Sequence, residues 1–207
     1  KGNNKYPLVL FLHGAGGRGN DNEQQLWDAN SIGAFAKQKV SSKYQSYIFA
    51  PQVPEGERWV SAKWNGEDYS MPSISSSMKL TFDALDAFIN KNKNVDTNRI
   101  YVLGLSMGGW GTWDAISRRP NYFAAAVPIC GGGDKVQSVN LNKVNIWAWH
   151  GKDDTVIDVT KSQQMVKAIE AQKGNIKYTE IKGRGHDSWL DVWNHKELWE
   201  WLYNQRK

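Results

Sequence analysis

Gly104-Leu105-Ser106-Met107-Gly108 stands where an apolar segment, Arg99 to Leu103, gives way to a segment with helical character. The apolar segment predicts a buried strand, and the helix that follows is expected to end at Pro120. A G-x-S-x-G turn between a strand and a helix strains the backbone of its serine and lifts the hydroxyl away from the sheet. Ser106 is therefore our candidate nucleophile.

Working outward from this turn, strand-like and helix-like segments alternate along almost the whole chain. The predicted strands are residues 8–12, 47–50, 100–105, 124–129, 145–150 and 176–181. Helices are predicted near residues 23–39, 75–92, 107–119, 161–173 and 195–204. This alternation predicts a mostly parallel sheet with helices on both faces, and together with the serine turn it indicates an α/β-hydrolase fold.

Length and composition exclude several classes of protein. The 207 residues fit a single catalytic domain, residues 1–207, which could be one module of a longer protein. The net charge of +5 is spread along the chain with at most two adjacent basic residues, so we expect no nucleic-acid partner. Neither a membrane span nor a signal peptide is visible in this sequence. The single cysteine, Cys130, follows an apolar run and is expected to be buried.

A nucleophilic serine needs a base, and the base needs an acid that orients it. In α/β-hydrolases the order along the chain is serine, acid, histidine. His186 lies in a glycine-rich loop after the last predicted strand and is our candidate base. Asp153 and Asp154 both follow the strand before it; we favour Asp154, because the next apolar pair in the chain can anchor its loop. His13 and His150 also end strands, but they precede the acid, and we interpret them as histidines that hydrogen-bond nearby loops.

The developing negative charge on a substrate carbonyl would need two backbone N–H donors. One is expected from Met107, the residue after the nucleophile. The second is expected from Ala15, in the glycine-rich loop after the first strand.

That loop also contains G-x-G-x-x-G, Gly14 to Gly19, which is the pattern of a dinucleotide-binding turn. The pattern requires an acidic residue about 20 positions later, at the end of the next strand, and that strand ends Ala50-Pro51-Gln52. A nicotinamide-dependent dehydrogenase is therefore the weaker alternative. No metal-ligand motif is present in the sequence, and we predict neither a metal nor a cofactor.

The chain contains 11 tryptophans, a high number for its length. Trp147, Trp149 and Trp201 occupy strand and helix positions and are expected in the core. Five others, Trp27, Trp59, Trp64, Trp110 and Trp189, fall in or beside loops expected around Ser106. Flat aromatic surfaces suit sugar faces and aromatic rings. We predict that Trp59, Trp64, Trp110 and Trp189 contact the substrate, with packing of the site walls as the alternative.

Three segments together resemble a known group of enzymes: residues 6–22 (YPLVLFLHGAGGRGNDN), residues 104–114 (GLSMGGWGTWD) and residues 183–189 (GRGHDSW). They are similar to secreted α/β-hydrolase esterases related to carbohydrate esterase family 1, which includes feruloyl and acetylxylan esterases. Some putative peptidases and polyester depolymerases share these motifs. The resemblance implies a Ser106–Asp154–His186 triad, oxyanion donors at Met107 and around Ala15, and an extracellular location. No inserted cap is evident, which suggests an open site.

We therefore expect a carboxylic ester hydrolase that forms an acyl-enzyme on small or polysaccharide-linked esters, with feruloyl or acetyl esters of plant cell-wall polysaccharide preferred. A general short-chain carboxylesterase is the alternative, and a peptidase or a polyester depolymerase is less favoured. A noncatalytic binding module is disfavoured, because all three triad positions are filled. The sequence leaves acyl preference and oligomeric state open.

Overall fold

A parallel sheet forms the centre of the molecule. The computed structural model describes residues 4–61 and 69–207, and within this part six strands pair in the order β2-β1-β3-β4-β5-β6, with every neighbouring pair parallel. The strands are β1 Tyr6–Leu12, β2 Tyr47–Phe49, β3 Val95–Leu105, β4 Ala125–Ile129, β5 Asn145–Gly151 and β6 Ile176–Ile181. The predicted α/β-hydrolase sheet is confirmed, although β3 begins five residues earlier than residue 100, where we had expected it.

Helices cover both faces of this sheet. They are α1 Gln24–Trp27, α2 Ser31–Ala36, α3 Gln38–Ser41, α4 Ser76–Lys91, α5 Met107–Arg118, α6 Thr160–Ala171, α7 Trp189–Asn194 and α8 Lys196–Asn204. Short 3-10 helices occur at Ala15–Gly17, Asp28–Asn30 and Lys135–Asn140. None of the helices in the described ranges has both the length and the apolar character needed to cross a membrane.

The alternation of side chains along β1 divides the core into two layers. Leu8, Leu10 and Leu12 pack with α4, α5 and α6 on one face. Val9 and Phe11 pack with α2, α3, α7 and α8 on the other face. Because both faces are covered, β1 is a continuous apolar run, and its carboxyl end is held firmly at the edge where the polar loops emerge.

The predicted helix over residues 23–39 is wrong as a single element. Ala29 and Asn30 adopt left-handed backbone conformations, with φ of 52° and 51°, and Lys37 is extended. These residues divide the segment into α1, a 3-10 turn, α2 and α3. The breaks turn Asp28 back toward the loop after β1, where its carboxylate accepts the Gly14 N–H at 2.8 Å.

Candidate active site

Ser106 occupies the sharp turn between β3 and α5. Its backbone lies at φ 55° and ψ −117°, a combination that strains any residue with a side chain. The Ser106 N–H donates to the Ile129 carbonyl at 2.9 Å, which fixes the turn against the end of β4. The strain predicted for this position is thus present, and the surrounding strands hold it in place.

The two glycines of the turn allow close backbone approaches. A Cβ atom at Gly108 would overlap the carbonyl oxygen of Leu12, at the end of β1. A Cβ atom at Gly104 would overlap the carbonyl of Gly108. Any larger residue would push α5 away from the sheet, so glycine at both positions is what brings the serine close to the loop after β1.

His186 lies in the loop between β6 and α7, and its ring joins the serine to the acid. Its Nε2 is 2.8 Å from Ser106 Oγ, and its Nδ1 is 2.7 Å from Asp154 Oδ2. The imidazole remains partly open to solvent, while the Asp154 side chain is fully buried. The edge-to-face contact with Trp189, at 5.4 Å between ring centroids, supports the orientation of the ring.

Asp154 is held by its own loop after β5. Its Oδ1 accepts the backbone N–H groups of Val156 and Ile157, each at 2.9 Å. Burial acts to raise the pKa of this carboxyl, but hydrogen bonds from His150, His186 and the two backbone N–H groups outweigh it and hold the pKa well below its usual range. The carboxylate is therefore ionised at neutral pH.

The neighbouring Asp153 does not reach the histidine. It is exposed and accepts the Gly183 N–H at 2.9 Å. Of the apolar pair that we expected to anchor the loop, Ile157 is fully buried, whereas Val156 is 43% exposed. Ile157 alone is the buried anchor, and the geometry places Asp154 against the histidine.

His13 fixes the loop after β1 by a hydrogen bond to the Gly14 carbonyl. Val53 N–H donates to His13 Nε2 at 3.0 Å, so the His13 proton sits on Nδ1 and is donated to the Gly14 carbonyl at 2.6 Å. Burial and, to a smaller extent, the positive charge of Arg18 lower the pKa of His13 to about 4, although the hydrogen bond to the Gly14 carbonyl acts in the opposite direction. In a trans peptide the N–H points opposite the carbonyl, so holding the Gly14 oxygen also aims the Ala15 N–H.

The two predicted oxyanion donors lie at the beginning of helical turns. Ala15 begins the 3-10 turn and Met107 begins α5, where backbone N–H groups have no partner within the helix. Within residues 4–61 and 69–207, neither N–H donates a hydrogen bond to another group of the chain. Both remain available to a ligand, as our sequence-based prediction requires.

The predicted substrate-binding tryptophans separate into different groups. Trp59 is fully buried and donates its Nε1–H to the His13 carbonyl at 2.9 Å. Trp110 is also buried, edge-to-face with Tyr69 at 5.0 Å between ring centroids. Neither offers a face to a ligand, and we withdraw the substrate-contact prediction for both. Trp64 lies outside the described residues.

Two tryptophans remain candidates for the rim of the site. Trp189 is half-buried beside His186. Trp27 is 78% exposed, on α1, between two residues that contact the loop after β1. Those residues are Gln24, which donates to the Gly16 carbonyl at 3.1 Å, and Asp28, which accepts from Gly14. The exposed Trp27 therefore borders the predicted oxyanion loop.

The described residues include one set of three possible metal ligands: Cys130, Asp154 and His186, with ligand atoms within 4.8 Å of one another. Asp154 and His186 are already hydrogen-bonded to each other. Cys130 is fully buried, and burial raises the pKa of its thiol far above the usual range. The thiolate that a metal would bind is disfavoured, so this set fits a hydrogen-bonded hydrolase site better than a metal centre.

Two side chains around the site had no predicted role, and a third, His150, forms the predicted hydrogen bond to a nearby loop but also lies close to the acid. Asp28 binds the loop after β1, Arg18 Nη2 lies 3.2 Å from Met107 Sδ, and His150 lies 3.4 Å from the Asp154 carboxylate. Asp28 lies outside every motif that the sequence offered, and Arg18 lies inside the glycine-rich motif after β1, which assigned it no role. His150 had a usable signal, because it ends a strand four residues before the acid.

The strained serine, the histidine and the buried aspartate occur in the chain order of α/β-hydrolases, at the carboxyl edge of a parallel sheet. The family model for phospholipases and carboxylesterases matches residues 1–195. The chain belongs to this phospholipase/carboxylesterase family. The predicted resemblance to α/β-hydrolase esterases is thereby confirmed.

Sequence relatives of this family member include enzymes that act on polymers. One is a bifunctional acetylxylan esterase/xylanase of Neocallimastix patriciarum, 27% identical over 146 residues, covering 54% of this chain and 22% of the relative. Another is a poly(3-hydroxybutyrate) depolymerase of Ralstonia pickettii, 32% identical over 127 residues, covering 59% of this chain and 24% of the relative. The chain thus spans about a quarter of the length of these relatives.

Solved structures show the same architecture. A thermostable esterase superposes with a TM-score of 0.90 and 35% sequence identity, over 99% of this chain and 56% of that chain. A ferulic acid esterase superposes with a TM-score of 0.67 over 96% of this chain and 85% of that chain. The second match, at 17% identity, shows a shared fold and nothing about substrate.

Proposed function

We propose that this family member is a serine carboxylic ester hydrolase that works through an acyl-enzyme. The observation that carries the proposal is the continuous hydrogen-bonded line from Ser106 Oγ through the His186 ring to Asp154, with heavy-atom distances of 2.8 Å and 2.7 Å. A serine hydroxyl is a weak nucleophile, and this line supplies both the base and the group that orients it.

In this proposal each residue has its own step. His186 Nε2 takes the Ser106 proton as Oγ attacks the ester carbonyl, and the ionised Asp154 stabilises the resulting imidazolium. The N–H groups of Met107 and Ala15 bind the oxyanion of the tetrahedral intermediate. His186 then protonates the leaving alcohol, and in the second half-reaction it activates the water that releases the acid.

For substrates, we propose feruloyl or acetyl esters on plant cell-wall polysaccharide. Support comes from the sequence relative named as an acetylxylan esterase/xylanase and from Trp27, which exposes most of its indole beside the oxyanion loop. Such polymers lie outside the cell, so the proposal includes secretion of the protein. A general short-chain carboxylesterase is the second candidate, since the family description names carboxylesterases without a polymer.

The first experiment tests the nucleophile. A fluorophosphonate should label the wild-type protein once, at Ser106, and should leave Ser106→Ala unlabelled. Ser106→Ala should also lower kcat for a simple ester by several orders of magnitude. Labelling at another serine, or an unchanged rate in Ser106→Ala, would contradict the proposed mechanism.

The second experiment tests the substrate. Values of kcat/KM are compared for acetylated and feruloylated xylo-oligosaccharides, for p-nitrophenyl acetate and butyrate, and for a poly(3-hydroxybutyrate) film. The proposal expects the oligosaccharide esters to be preferred. A preference for the p-nitrophenyl esters would favour the general carboxylesterase, and film hydrolysis above both would favour a polyester depolymerase.

A further inference from the structure

His150 is a fully buried histidine near the end of β5, and, like His186, it approaches Asp154 Oδ2. Its Nε2 lies 2.9 Å from the Ile157 carbonyl oxygen and 3.4 Å from Asp154 Oδ2. Its Nδ1 lies 2.7 Å from Ser162 Oγ, which is also 2.9 Å from the Gly131 carbonyl. One edge of the ring is therefore held by the loop that carries Asp154, and the other edge by α6.

The partners determine where the His150 proton must be. A carbonyl oxygen and an ionised carboxylate are acceptors only, so Nε2, which faces both, carries a proton. Ser162 has a single hydroxyl proton, and whether that proton goes to the Gly131 carbonyl or to His150 Nδ1, the proton on Nε2 stays in place. His150 therefore presents an N–H group to the carboxylate that also binds His186.

We propose that His150 is a positioning residue for the triad acid, a role that rests on the proposed hydrolase function. Its Nε2–H binds Asp154 Oδ2 and the Ile157 carbonyl together, so it ties the carboxylate to the loop that carries it. Asp154 then has N–H groups beside both oxygens: Val156 and Ile157 at 2.9 Å from Oδ1, and, beside Oδ2, His186 at 2.7 Å with His150 at the longer distance of 3.4 Å. This full set holds the carboxylate at one angle to the His186 ring.

In this proposal Asp154 Oδ2 accepts hydrogen bonds from both His150 and His186. A carboxylate oxygen that accepts two hydrogen bonds is less basic, so the contact with His150 limits how strongly Asp154 stabilises the His186 imidazolium. Titratable groups on several elements lie near this pair: Cys130 after β4, Asp158 after β5, Glu180 on β6, and His186 itself. Removing the His150 N–H should therefore affect both the rate of ester hydrolysis and its dependence on pH.

Three variants separate this role from a purely structural one. His150→Leu removes the N–H, His150→Gln keeps an amide N–H at the end of the side chain, and Ser162→Ala loosens only the Nδ1 side of the ring. His150→Leu should lower kcat/KM about tenfold or more, the effect of losing a hydrogen bond to a charged group. It should also move the acid limb of the kcat/KM profile to higher pH, by roughly half a pH unit.

His150→Gln should restore kcat/KM to within a few-fold of the wild type, and Ser162→Ala should leave the acid limb in place. A folded His150→Leu with the wild-type acid limb would overturn the proposal, as would an equal displacement in Ser162→Ala. Wild-type protein that neither hydrolyses esters nor reacts with a fluorophosphonate would instead overturn the proposed function.

A measurement on the wild type decides the case if His150→Leu does not fold. In protein labelled with ¹⁵N-histidine, the four histidines are few enough to assign by comparison with His150→Gln. The proposal expects a slowly exchanging, downfield Nε2–H signal from His150 that is absent in the variant. An unprotonated His150 Nε2 at neutral pH would overturn the proposal without any kinetic data.

Discussion

His186 Nδ1 lies 2.7 Å from Asp154 Oδ2, whereas the carboxylate of Asp153, the preceding residue, is exposed and accepts the Gly183 N–H. Two chemically identical side chains, adjacent in the chain, thus have opposite environments. One is buried, ionised and in contact with the base, and the other is exposed. The loop after β5 turns sharply at this point, so two neighbouring residues point in different directions, one toward His186 and the other toward solvent.

Substitution of the two aspartates should therefore have very different consequences. Asp154→Asn should lower kcat by about 10⁴, since an amide favours the wrong tautomer of the histidine and cannot stabilise its imidazolium. Asp153→Asn is the matched control and should change kcat by less than a few-fold. The measurement is kcat for p-nitrophenyl acetate at saturating substrate, and a larger loss in Asp153→Asn would reverse the assignment.

Strain at Ser106 gives a second prediction, this time on stability. Glycine tolerates the observed backbone at φ 55° and ψ −117°, whereas alanine does not. Ser106→Gly should therefore be more stable than Ser106→Ala by about 1 kcal/mol in free energy of unfolding, measured by urea denaturation. Both variants should be inactive, so activity serves as the check that each has lost its nucleophile. Equal stability would show that the turn stores no strain.

The parts of this molecule that the sequence predicts well are those determined by local patterns. Apolar runs such as residues 8–12 and the glycine-flanked serine turn depend on neighbours in the chain, and both lie where we expected them. The break at Ala29 and Asn30 depends on two residues in the left-handed backbone conformation, and neither is a glycine that would have indicated it in the sequence. The buried states of Trp59 and Trp110 depend on contacts with distant segments, which residue type alone does not reveal.

The same limit applies to the candidate site. Ser106, Asp154 and His186 come from an ordered motif set, and the structure brings them together. His150 and Asp28 act on those residues or on the neighbouring loop through single contacts across the sheet edge. The position of His150, four residues before the acid, suits a histidine that supports the acid and one that caps a loop, so the three-dimensional contacts are needed to separate the two roles.

The neutral state of buried His13 predicts how stability depends on pH. Its folded pKa of about 4 lies below the value of about 6.5 expected for an unfolded chain, so the unfolded state takes up the proton first as the pH falls. The free energy of unfolding should then decrease by about 3 kcal/mol between pH 6.5 and 4 because of this residue alone. Asp154 begins to affect stability only near the acidic end of this window, because its unfolded pKa is near 4 and its folded pKa is lower.

His13→Gln isolates the contribution of that histidine. The glutamine amide can accept the Val53 N–H in place of Nε2, but it does not titrate. Urea denaturation at pH 7 and pH 4 should show a smaller loss of stability in the variant than in the wild type. If both proteins lose the same free energy over this range, His13 is not the group whose protonation destabilises the fold.

The last prediction concerns Trp27, whose exposed indole borders the loop that presents Ala15. Stacking of a feruloyl group or a sugar ring on this face should contribute about 1 kcal/mol, which is several-fold in kcat/KM. Trp27→Ala should therefore weaken hydrolysis of feruloylated or acetylated xylo-oligosaccharides several-fold and leave p-nitrophenyl acetate almost unaffected. The free energy of unfolding should change by less than about 0.5 kcal/mol, because the side chain is exposed.

Trp59→Ala is the contrasting variant: loss of its buried indole should leave a cavity that lowers the free energy of unfolding by about 3–5 kcal/mol. Trp27→Ala could instead lower kcat/KM equally for the oligosaccharide esters and for p-nitrophenyl acetate. That result would show that Trp27 shapes the loop without contacting substrate, and the general carboxylesterase would then be the better assignment.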